Sequence, residues 1–265
     1  TSLTITNAGT ISANNNASSV AINLGDSNGG SSLTVANTGT ISAGALGTAI
    51  QVSDSGNSAS ISNTSGGVIT GAIAVGANNA TVTNNSTNGI NGAISATSGD
   101  LDVVNTSGTI TGNITTGSNA GSTVALNGGS VVGNVILGNS SQSVTFGGGS
   151  LNGNINGAGQ VVINSSSVTL NGNIGNSTAV TALTINANDT LNVGANSVNA
   201  TNITIATNAA LTLGSGSLTG VINGASAGVG SVNLNSNNTI ASGTFLGSSA
   251  GNGLAAVNVG NSATI

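Results

Sequence analysis

The 265-residue sequence contains no Lys, Arg, His, Cys, Pro, Met, Trp or Tyr, and only two Phe. Each absence closes a class of function. Acid–base catalysis near neutral pH leans on His or on paired carboxylates. Without His or Cys, a Ser–His–Asp arrangement and thiol catalysis are both excluded. We therefore expect no enzyme, no catalytic residue and no cofactor. Phosphate neutralisation requires Lys or Arg, so nucleic acid is not an expected partner either. The lack of Cys removes disulfides and says nothing about redox compartment. Trypsin-like proteases have no residue to cut after. No apolar run approaches the ~20 residues that a membrane-spanning helix needs. No signal-peptide pattern is present, so a secreted form would be a mature or processed piece.

Charge is almost absent. The five acids, Asp26, Asp54, Asp100, Asp102 and Asp189, carry the whole formal charge of −5. Asp100 and Asp102 are two apart, so on a strand they face one side, and they are the weak candidates for a cation site. Two carboxylates in a chain of this kind fit a solvated turn better. Calcium-binding β-rolls carry an Asp in every repeat, and carbohydrate-cleaving enzymes need grouped acids. Neither pattern is here, so no metal is assigned. With so little charge, nothing opposes lateral approach of one molecule to another.

What the chain does have is a recurring phrase. It reads ITGAI at Ile69–Ile73, INGAI at Ile90–Ile94, ITGNI at Ile110–Ile114, VVGNV at Val131–Val135, LNGNI at Leu151–Ile155 and LNGNI at Leu170–Ile174. Its glycines, Gly71, Gly92, Gly112, Gly133, Gly153 and Gly172, are spaced 21, 20, 21, 20 and 19 residues apart. A period of about 20 residues over six copies is the mark of a solenoid. Around each glycine apolar residues alternate, as in Val124, Leu126, Val131, Val135 and Leu137, with Gly, Asn and Ser between them. That alternation reads as short strands. We therefore expect an all-β, single-stranded β-solenoid (a β-helix), its coils stacked roughly 4.8 Å apart. Ile73, Ile94, Ile114, Val135, Ile155 and Ile174 would form one inward ladder, and Asn113, Asn134, Asn154 and Asn173 a parallel row. Disorder is argued against by a mean hydropathy of +0.30 with the apolar residues in period.

One continuous solenoid is expected over residues 1–265. Residues 1–60 carry longer coils: LTITNAGTISA (Leu3–Ala13) returns as LTVANTGTISA (Leu33–Ala43) at a step of 30, with turn insertions such as Gly25–Ser32. Residues 61–178 hold the regular array. Residues 179–265 are looser, with LTINANDTLNV (Leu183–Val193) and ITIATNAALTL (Ile203–Leu213) at a step of 20. LTGVI (Leu218–Ile222) is similar to the central phrase. Length over period gives roughly 11 to 13 coils and a rod on the order of 50–60 Å. The first residues, TSLTIT, and the last, NSATI, read as uncharged strands whose unpaired edges invite another chain.

The segments GTITGNITTG (Gly108–Gly117), GGSVVGNVILG (Gly128–Gly138) and GGSLNGNINGAG (Gly148–Gly159) resemble the passenger regions of bacterial autotransporter and adhesin-type surface proteins. The resemblance implies a right-handed β-helix exported to the cell surface of a Gram-negative-type bacterium, although no translocator barrel is recognisable in the chain. Three functions follow as expectations. The first is an extracellular structural protein, a homopolymer built through its solenoid ends into a filament or surface layer. The second is an adhesive passenger making host-cell or cell–cell contacts. The third is an ice- or surface-binding solenoid, suggested by the pairs Thr4–Thr6, Thr81–Thr83 and Thr109–Thr111, which do not recur at one fixed offset.

Overall fold

Parallel strands cannot be joined by a tight turn; the chain needs a dozen or more residues to return to the starting edge. A repeat of about 21 residues supplies that return by winding two further short strands around the same core. The computed structural model describes residues 2–25, 30–53, 56–76, 78–247 and 252–260. It is an all-β parallel β-solenoid with coils of about 21 residues and no helix among the described residues. A representative turn runs through strands Asn79–Asn85, Ile90–Asn91 and Ile94–Ala96 before the next turn opens at Asp100–Ser107. The three strands belong to three faces. The long face is a 13-stranded sheet, and in the N-terminal part each of the other two is a 7-stranded sheet.

The stack is about 10 turns high, and its first turns consume more chain than the rest. Ser2 lies opposite Ser32, a step of 30, and Ser32 opposite Ser58, a step of 26. The step then settles at 21, with Ser58 opposite Asn79 and Asn79 opposite Asp100. The insertion at Gly25–Ser32 and the residues Asp26 and Asp54 fall largely or wholly outside the described residues, as do Thr1 and the last five positions.

Register places like on like. Ile73, Ile94, Ile114, Val135, Ile155 and Ile174 lie directly over one another. The column extends to Ile22 and Ile50 before them and to Val198, Leu218 and Ile240 after them. A second column on the long face runs without a break from Ile5 through Val35, Ile61, Val82, Val103, Val124, Val144, Val161, Leu183, Ile203 and Ile222 to Leu246. Away from the two ends of the stack these side chains are almost wholly inaccessible. Each fully buried Ile, Val or Leu stabilises the fold by about 1.5–3 kcal/mol. A narrow interior of aliphatic columns thus replaces the aromatic core that the composition lacks.

The glycines of the central phrase form the corner between the second and third faces. A Cβ on Gly92 would lie 2.1 Å from the carbonyl oxygen of Gly71, one on Gly133 2.4 Å from that of Gly112, and one on Gly153 2.1 Å from that of Gly133. A side chain at this corner would therefore strike the backbone of the turn beneath. Gly133 and Gly153 also hold φ of +150° and +156°, a region unfavourable to L side chains. The adjacent Asn row closes the corner: Oδ1 of Asn113, Asn134 and Asn154 accepts the backbone N–H of Asn134, Asn154 and Asn173, each at 2.8 Å.

Beyond Leu170 the cross-section changes. The two 7-stranded sheets end and a 5-stranded sheet starts at Val168–Thr169. The third and long faces run together in the strands Val198–Ile205 and Ser217–Gly224. LTGVI consequently does not occupy the place of the central phrase: Leu218 continues the Ile73 column, while Ile222 sits on the long face over Ile203. Its Gly220 turns a different corner, with a Cβ position 2.0 Å from the carbonyl oxygen of Ala200.

Two substitutions test this register. Replacing Ile114, which has no exposure, with Asp buries an unpaired carboxylate and should lower stability by several kcal/mol. Replacing exposed Asn119 with Asp should change it by less than about 0.5 kcal/mol. Urea unfolding that gives the two variants similar midpoints would contradict the register. Gly133→Ala, combining overlap with strain, should cost roughly 2 kcal/mol or more in the same measurement.

Candidate functional site

No cluster of three or more His, Cys, Asp or Glu capable of holding a metal ion occurs among the described residues. Asp100 and Asp102 do share a side, but they stand at the start of strand Asp100–Ser107 rather than in a turn. Their carboxylates serve the next coil. Oδ1 of Asp100 accepts the Gly121 N–H at 2.9 Å, and Oδ1 of Asp102 accepts the Thr123 N–H at 3.1 Å and its hydroxyl at 2.6 Å. Each acid binds a neighbouring turn, in the manner of the Asn row at the glycine corner.

Two polar assemblies in the interior stand out among the described residues. The first is a ladder that the sequence reading missed. Asn7, Asn37, Asn63, Asn84 and Asn105 close their long-face strands one above another. Nδ2 of each donates to Oδ1 of the next, at 2.8, 2.8, 3.0 and 2.9 Å. The same Nδ2 groups donate to turn carbonyls, among them Thr40, Val68 and Gly89, so the ladder also ties the long face to the second face. Asn37, Asn63, Asn84 and Asn105 are fully buried and Asn7 is 6% exposed. The ladder ends at Asn105, whose Nδ2 donates to the Ser130 carbonyl, and Leu126 and Phe146 continue the column as apolar residues. The signal was in the sequence all along, as TITN, TVAN, SISN, TVTN and DVVN.

The second assembly centres on fully buried Gln142. Its Oε1 accepts the Thr116 hydroxyl at 2.5 Å and the Gly138 N–H at 2.7 Å. Its Nε2 donates to the carbonyls of Gly117 and Asn119 at 2.6 and 2.5 Å. Both ends of the amide are occupied, so this is a structural plug with nothing left to offer a ligand.

Outside, the long face presents two rows of short side chains. One runs Thr4, Thr34, Ser60, Thr81, Asp102, Thr123, Ser143 and the other Thr6, Ala36, Ser62, Thr83, Val104, Ala125, Thr145. Thr4–Thr6 and Thr81–Thr83 thus lie in common rows, whereas Thr109–Thr111 belongs to the second face. Asp102, Ala36, Val104 and Ala125 interrupt the hydroxyls. An open surface depression lies between the turns Thr207–Ala209 and Gly228–Ser231.

The remaining candidate is the pair of stack ends. Among the described residues strand Ser2–Asn7 is hydrogen-bonded on one side only, to Ser32–Asn37. Its inward Leu3 is 39% exposed although its partner Leu33 is 1% exposed. At the other end Phe245, Leu246, Val257 and Val259 are 56, 37, 38 and 46% exposed, while Val232 and Leu234, over which the last two lie, are inaccessible. Among the described residues, then, the large apolar side chains left open are concentrated where the columns stop, with Leu46 and Val132 as the exceptions. No protein-family model, curated protein or solved structure matches the chain.

If Asp100 and Asp102 are fasteners between turns, Asp102→Ala should lower stability by about 1 kcal/mol, with or without millimolar calcium. Calorimetric titration of the unsubstituted chain should give no heat of calcium binding; a clear isotherm abolished by Asp102→Ala would reinstate a metal site.

Proposed function

We propose that the chain is an extracellular structural protein of a bacterial surface, whose β-solenoid units join end to end into a filament or surface layer. The observation that carries this reading is the uncovering of the inward columns at the stack ends, at Leu3 and at Leu246, Val257 and Val259. Covering such side chains is favourable at about 25 cal/mol per Å². The adjacent strand Ser2–Asn7 has a free edge among the described residues, and a free edge is a template for strand pairing. End-on joining of identical units is a heterologous contact that propagates without closing. Shape and stiffness are then the function, which agrees with a composition lacking His, Lys, Arg, Cys and Tyr. The likeness of the Gly108–Gly159 segments to autotransporter and adhesin-type passengers supports a surface location.

The two outward rows of the long face favour a second reading, an adhesive passenger that displays its Thr and Ser to another cell. A third, recognition of ice, is weakened by the interruptions at Ala36, Asp102 and Val104.

Negative-stain electron microscopy and sedimentation velocity of the purified chain separate the first two. Unbranched fibres whose mass rises with concentration are expected. Monodisperse rods about 50 Å long at every concentration would reject end-on assembly and leave the adhesive reading.

A further inference from the structure

One turn in the middle of the stack leaves a backbone N–H free beside a free side-chain amide. Residues 127–129 join strand Thr123–Leu126 to strand Ser130–Val132. The N–H groups of Asn127 and Gly129 both reach the Asn105 carbonyl, at 2.9 and 3.4 Å. The Gly128 N–H between them has no acceptor among the described residues, and the Asn127 side chain makes no hydrogen bond there either. Both residues are exposed. The Asn127 side chain lies against Gly147 of the following turn, where a Cβ would come within 2.6 Å of its Oδ1.

Asn followed by Gly is the pair in which a side-chain amide carbon and the next backbone nitrogen meet most easily, since Gly has no Cβ to hinder the approach. The sequence contains nine such pairs, and the structure singles out one. Strands restrain Asn91, Asn152, Asn156 and Asn223. Asn88 Nδ2 donates to the Gly66 carbonyl at 2.6 Å, and the Gly89 N–H donates to that of Ser86 at 3.2 Å. Gly172, which follows Asn171, is buried at the central corner. The pair at Asn28 lies outside the described residues, and Asn252 borders others that do.

We propose that Asn127–Gly128 is a site of self-modification, with water as its only co-reactant. The deprotonated backbone nitrogen of Gly128 attacks Cγ of Asn127, a step favoured because both groups belong to one residue pair. The N–Cγ bond forms as the Cγ–Nδ2 bond breaks. Nδ2 leaves as ammonia, and the proton it takes up balances the one lost from Gly128. Water then opens the resulting succinimide ring. Cleavage of the new N–Cγ bond leaves an aspartyl residue, and cleavage of the original peptide bond leaves an isoaspartyl one. Either product adds a carboxylate to a chain that has no Lys or Arg to pair it. The isoaspartyl form also inserts one backbone atom between the two N–H groups that share the Asn105 carbonyl. It therefore loosens the turn beside the last member of the Asn ladder.

The folded chain is held in mildly alkaline buffer and sampled by isoelectric focusing. Hydroxylamine, which cleaves succinimides, locates the site by the masses of the fragments. One more acidic species should accumulate first, and the first cut should fall after Asn127. Asn127→Gln, whose ring closure needs a longer side chain to fold back, should slow acid formation about tenfold. That exposed position tolerates substitution, and circular dichroism checks the fold. In a chain unfolded by guanidinium the cuts should spread over the other Asn–Gly pairs. A folded chain that stays unmodified while the unfolded chain converts overturns the proposal. So does a first cut at any other pair, or an unchanged rate in Asn127→Gln.

Discussion

Everything in this molecule depends on one geometric constraint: each residue sits about one strand spacing, roughly 4.8 Å, from its equivalent in the turns before and after. That distance is too short to hold dissimilar side chains comfortably. Aliphatic residues therefore stack on aliphatic ones from Ile5 to Leu246 and from Ile22 to Ile240. Asn stacks on Asn because an amide can donate and accept along the axis at once, which leaves each turn both satisfied and tied to its neighbour. Glycine follows glycine at the central corner, where a Cβ on Gly153 would overlap the Gly133 carbonyl at 2.1 Å. The repetition in the sequence is a steric consequence of stacking.

The same constraint explains where the columns change character. At the turn containing Ser122, polar and apolar residues exchange sides of the long face. Up to Asp100–Ser107 the strand begins inward with a hydrophobe, as at Leu101, and ends with Asn105. From the next turn it begins with Ser122 and then Gln142, and ends with Leu126 and then Phe146. The junction is kept satisfied by hydrogen bonds that cross it: Ser122 Oγ accepts the Leu101 N–H at 2.9 Å, and Asn105 Nδ2 reaches the Ser130 carbonyl at 2.8 Å. Buried polarity thus moves from one corner of the coil to another without leaving a turn unfastened.

How much of this the sequence carried follows from the same rule. The central phrase was legible because its glycine, its following residue and its two flanking hydrophobes all recur at one step. The buried Asn ladder was equally periodic yet overlooked, because an Asn at the end of an apolar strand reads as an ordinary turn residue. Its place inside appears only when the register of Asn7 over Asn37 is known. LTGVI misled because a phrase names a kind of corner, not which corner, and only the count of residues since the preceding strand tells them apart. Gln142 gave no warning at all. The turn before it has Ser122 at the same register position, and its partners Thr116, Gly117, Asn119 and Gly138 lie up to 26 residues away. The exposure of Leu3 and Leu246 at the ends of their columns depends on register, which the residues alone do not show.

A nearly uncharged solenoid faces a particular difficulty in choosing partners. Most proteins discriminate by complementary charge, which steers encounter and penalises wrong pairings. With five Asp and no cation, this chain has little of that kind to use. Backbone edges do not discriminate, and aliphatic columns accept any hydrophobe of suitable size. What remains is the directional hydrogen bond. The buried Asn ladder supplies it within the chain, where a turn without its amide would leave a neighbouring polar atom unpaired in a dry interior.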